Sequence, residues 1–88
     1  MVSNDNIRLK QAILEVINIQ LNKNDPPETR QTLKRLTESG FSEQEALKLI
    51  GYVVASEVFS VLKSDRSYDE KAYIAALHAL PKLPWDKE

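Results

Sequence analysis

Cysteine is absent from the 88 residues, so neither a disulfide framework nor a thiolate zinc site can hold this chain together. Apolar burial must do so alone, a composition that suits the cytoplasm. An excess of charge of either sign is also missing: 12 basic residues stand against 13 acidic ones, which leaves −1 at neutral pH. Without a concentrated positive field, neither nucleic acid nor an anionic membrane is an expected partner. Long hydrophobic runs are lacking as well. Asp5, Arg8, Lys10 and Glu15 fall where a signal peptide needs an uninterrupted apolar core, and no segment reaches membrane-spanning length. A soluble, unexported protein is expected. Histidine is reduced to His78, and glycine to Gly40 and Gly51. A histidine-rich metal site and a glycine-rich phosphate loop are both outside this inventory.

What the chain has in quantity is apolar surface at helical spacing, most of all between Ser42 and Lys63. At about 100° per residue, Leu47, Ile50, Val54, Val58, Val61 and Leu62 form one broad stripe, and Leu49, Tyr52 and Phe59 fall on the other side. A surface helix needs one stripe only, so this helix is expected at the centre of a bundle or in a subunit interface.

The punctuation around it sets the other helices. Asp25-Pro26-Pro27-Glu28 offers a capping carboxylate, prolines for the first turn and a glutamate to complete a capping box. Gly40 marks a left-handed stop, and Ser42 with Glu45 is a second capping box with Phe41 just before it. Asp69 can cap a last helix that Pro81 ends, with Tyr68 placed to pack on Tyr73. The expected fold is all-α, a single domain over residues 1–88. Its helices run from roughly 5 to 22, 26 to 39, 43 to 63 and 70 to 80, with an extended tail over 81–88. Short connections make a compact bundle or an orthogonal array of four helices. Gly51, inside the third helix, marks a close helix crossing. The tail sequence Pro81-Lys82-Leu83-Pro84-Trp85 has PxxP spacing, yet two prolines after a helix more often end it and lay the chain over its own domain. Docking of Leu83 and Trp85 is the favoured reading.

No catalytic constellation emerges. His78 lies off the stripe of Tyr73, Ala76, Leu77 and Leu80, and is expected at the surface rather than as a general base. Ser39, Ser42 and Ser67 fall at helix ends, where capping explains them. Two polar residues are candidates for burial. Glu57 borders the main stripe of the third helix and has no Lys or Arg three or four residues away, so it is expected either to lean to the edge or to pair with a basic residue of another helix such as Arg30, Lys34 or Arg35 of the second. Gln20 lies among Ile13, Val16 and Ile17, where its amide could bind backbone carbonyls or the following linker.

The segments Gln20-Leu21, Asn24 to Thr29, Arg35-Leu36, Gly40, Glu45-Ala46, Ile50-Gly51 and Tyr73 to Pro81 together resemble a bacterial family of small all-helical proteins of unknown function. The resemblance covers most of the chain and rests mainly on the Asp-Pro-Pro-Glu turn and the Ile-Gly step inside a helix. It implies the helical fold and, in the family, histidines spaced four apart on the first and third helices. Those positions correspond here to Lys10, Leu14, Gln44 and Lys48, none of which supplies an imidazole.

The expected function is therefore that of a non-catalytic interaction module, forming a homodimer or binding another protein, with no cofactor and no metal. The candidate interface is the second side of the third helix: Tyr52 and Phe59, two turns apart, rimmed by Lys48, Ser56 and Lys63. The alternative is a degenerate metal-dependent enzyme using carboxylates such as Glu15, Glu45 and Glu57. A nucleic-acid contact through Arg30, Lys34 and Arg35 is the weakest of the three, given the near-neutral charge.

Overall fold

The computed structural model describes residues 4–64 and 67–86. Four helices follow one another: α1 (Asn4–Lys23), α2 (Pro27–Glu38), α3 (Glu43–Ser64) and α4 (Glu70–Ala79). The all-α expectation holds, with each boundary within a residue of its predicted place. Residues 87 and 88, the end of the predicted tail, lie outside the described residues.

Local chemistry accounts for most of the boundaries. The end of α1 is closed by Asn24, whose φ of 51° is the left-handed conformation that asparagine tolerates. Its N–H donates to the Leu21 carbonyl at 3.3 Å, and that of Asp25 to the Gln20 carbonyl at 3.0 Å. The same pair of bonds ends α2. Gly40, at φ 110°, donates to Thr37 and Phe41 to Leu36, so the predicted glycine stop is a Schellman turn. The Ser42 box is also present: the Glu45 N–H donates to Ser42 Oγ at 3.0 Å, and the Ser42 N–H to Glu45 Oε1 at 2.8 Å. At α4, Asp69 Oδ1 accepts from the Ala72 N–H at 3.1 Å, and the Tyr68 ring lies 6.0 Å from that of Tyr73.

One predicted cap is corrected. Asp25 does not cap α2; Pro26 takes the cap position with φ −77° and ψ 150° and no side-chain bond. The reason lies upstream, because the Asp25 N–H belongs to the turn that closes α1. The extended tail is corrected as well. Lys82 N–H bonds back to Ala79, Asp86 N–H to Leu83, and Asp86 Oδ2 accepts from the Leu83 N–H, so residues 81–86 fold into turns. That conformation is not the open polyproline helix an aromatic groove reads.

The core is built from Ile17 of α1, Leu36 of α2, Ala46, Ile50, Val53 and Val54 of α3, and Tyr73, Leu77 and Leu80 at α4. Both α2 and α3 pack on all the other helices, whereas α1 and α4 make no close backbone approach among the described residues. Extents of 33 × 32 × 30 Å show helices that cross rather than align along one axis. At Gly51 the crossing of α3 over α1 is so close that a Cβ would stand 3.3 Å from Ile13 Cγ2. Helix lengths then leave part of α3 uncovered. Its 22 residues span about 33 Å, while the 12 of α2 and the 10 of α4 reach about 18 and 15 Å. The expectation that the whole main stripe is surrounded is corrected accordingly. Ile50 and Val54 are buried, but Val58 and Leu62, on the same stripe, emerge into solvent.

Candidate interaction surface

The carboxy-terminal half of α3 carries the most exposed large apolar side chains of the described chain: Phe59 at 68% and Leu62 at 74%. They are three residues apart and therefore neighbours on the helix surface. Leu62, Val58 and Val61 form one wall of a groove of about 260 Å³, and Val16 of α1 stands on the other. Val54 and Tyr73, both buried, also line it. Gln20, Glu57 and Tyr68 supply its polar groups.

Gln20 and Glu57 are each held by bonds to other elements. Gln20 Oε1 accepts the Thr29 hydroxyl at 2.7 Å and the Tyr73 hydroxyl at 2.8 Å, which joins α1 to α2 and α4. Gln20 is half-buried, and its amide oxygen meets two side-chain hydroxyls, where a backbone or linker contact was expected. Burial pushes the Tyr73 phenol up, and the bonds from Thr29 and Gln20 partly oppose that shift. Glu57 is also half-buried. Its Oε2 accepts the Asp69 N–H at 3.1 Å, so a carboxylate of α3 sits at the start of α4, where the helix dipole favours negative charge. On α2, Arg30 donates to the Leu21 carbonyl, and Arg35 donates to Leu80 at 2.8 Å and Leu77 at 3.0 Å. Arg35 thereby caps the end of α4 from 42 to 45 positions away, a contact no local pattern announces. Beside the groove, Tyr68 is pushed up to about 12, first by burial, then by Tyr73, Glu70 and Glu57.

The five residues of the predicted interface divide. Tyr52 meets the tail: the Trp85 ring lies edge-on at 5.8 Å, and Leu83 packs on the core. Trp85 itself stays 57% exposed, so the tail docks without enclosing it. A second recess of about 290 Å³ lies at this end, between Phe41, Leu49, Tyr52 and the side chains of Glu45 and Lys48. Phe59 and Lys63 belong to the open end, and Ser56, between the two aromatics, is half-buried. The groove was missed because the apolar pattern of α3 continues unbroken from the covered half to the open one.

No metal cluster forms from the carboxylates: among the described residues, no three His, Asp or Glu side chains stand together as ligands. Glu45 serves the Ser42 box, Glu57 meets α4, and Glu15 is exposed. His78 is exposed, as are Lys10, Leu14, Gln44 and Lys48. No described helix is long and apolar enough to cross a membrane. Compared with protein-family models, curated protein sequences and solved structures, the chain matches none.

Proposed function

We propose that this chain is a small, non-catalytic interaction module of the bacterial cytoplasm that associates with a second copy of itself through the open end of α3. The observation that carries the reading is the pair Phe59 and Leu62, exposed side by side next to an apolar groove. A contiguous patch of this kind, rimmed by Lys63 and Glu57, has the composition of an interface core with a polar edge. Membership of the small helical family that the Asp-Pro-Pro-Glu turn resembles is part of the same proposal. The near-balanced charge supports a protein partner over nucleic acid.

Sedimentation equilibrium tests it. Wild type should behave as a dimer, and Phe59→Glu as a monomer with unchanged helical circular dichroism, because a charge buried at the contact is costly. A wild type that stays monomeric at high micromolar concentration overturns the proposal.

A further inference from the structure

We draw no further inference here: the strongest candidate, the apolar groove between α1 and the carboxy-terminal half of α3, carries nothing, because its lining carboxylate Glu57 already accepts the Asp69 N–H and nothing in the structure shows what covers the rest.

Discussion

Gln20 Oε1 accepts the Tyr73 hydroxyl at 2.8 Å, and this bond links α1 to α4, two helices that otherwise make no close backbone approach. The Thr29 hydroxyl converges on the same oxygen at 2.7 Å. Three helices thus meet at one amide beside the apolar groove. Replacing it by an isosteric apolar group strands two hydroxyl donors, and the penalty for an unsatisfied buried donor exceeds the worth of the bond itself. Gln20→Leu should cost about 1 to 3 kcal/mol in urea unfolding, and Tyr73→Phe, which removes one donor cleanly, about 0.5 to 1.5 kcal/mol. Equal costs for the two variants would show that the amide oxygen is not the shared acceptor.

Arg35 should resist conservative replacement. Its two nitrogens hold two carbonyls at the end of α4, a forked contact that an ammonium cannot reproduce. Arg35→Lys is expected to lose about 1 to 2 kcal/mol, and amide exchange should quicken in the last turn of α4 before it does in α3. Uniform quickening throughout the chain would assign the loss to global stability instead of the cap.

Gly51 should tolerate little. A Cβ there stands 3.3 Å from Ile13 Cγ2, so a branched side chain must push α1 away from α3. Gly51→Val should destabilise by about 1 to 3 kcal/mol despite removing a glycine from a helix interior. A more stable valine variant would mean that the crossing is looser than its geometry.

Stability should fall on the alkaline side. Tyr68 and Tyr73 hold their protons more tightly in the folded chain than at the ordinary value of 10.0, Tyr68 up to about 12. A group whose pKa rises on folding stabilises the fold fully below its unfolded value, and that contribution is lost as pH climbs through the folded value. The sensitive window is therefore pH 10 to about 12. Tyr68 is half-exposed and screened by solvent, which reduces its share, while Tyr73 is buried and shifts in the same direction. Urea midpoints at pH 9 and pH 11 check this: the difference should shrink in Tyr73→Phe, and an unchanged difference would remove the phenol from the account.

Tail docking can be read from Trp85→Ala. Its contact with Tyr52 is a single edge-on aromatic pair, worth about 0.5 to 1.5 kcal/mol, while Leu83 stays packed on the core. Quenching of tryptophan fluorescence by iodide should be intermediate between a free indole and a buried one, since the ring keeps 57% of its surface. Quenching equal to that of free tryptophan would show the tail undocked.

The residues by themselves determined the elements and most of their ends. The Ser42 box, the Asp69 cap, the Gly40 stop and the Tyr68–Tyr73 contact each join residues no more than five apart, and such interactions form wherever the chain goes. The exception, Asp25, shows the limit of that locality: two signals two residues apart compete, and the closing turn of α1 takes the residue that α2 would use as its cap. Gly51 was legible as a crossing because only a close neighbour justifies glycine inside a helix. The partners of Gln20, Glu57 and Arg35 were not legible. They depend on which helix ends meet, and that follows from crossing geometry and helix length rather than from spacing along the chain. The same physics decided the site. Val54 and Val58 occupy one stripe and read alike in sequence, yet one is buried and the other open, because α2 and α4 are about half the length of α3, and α1 crosses it at Gly51.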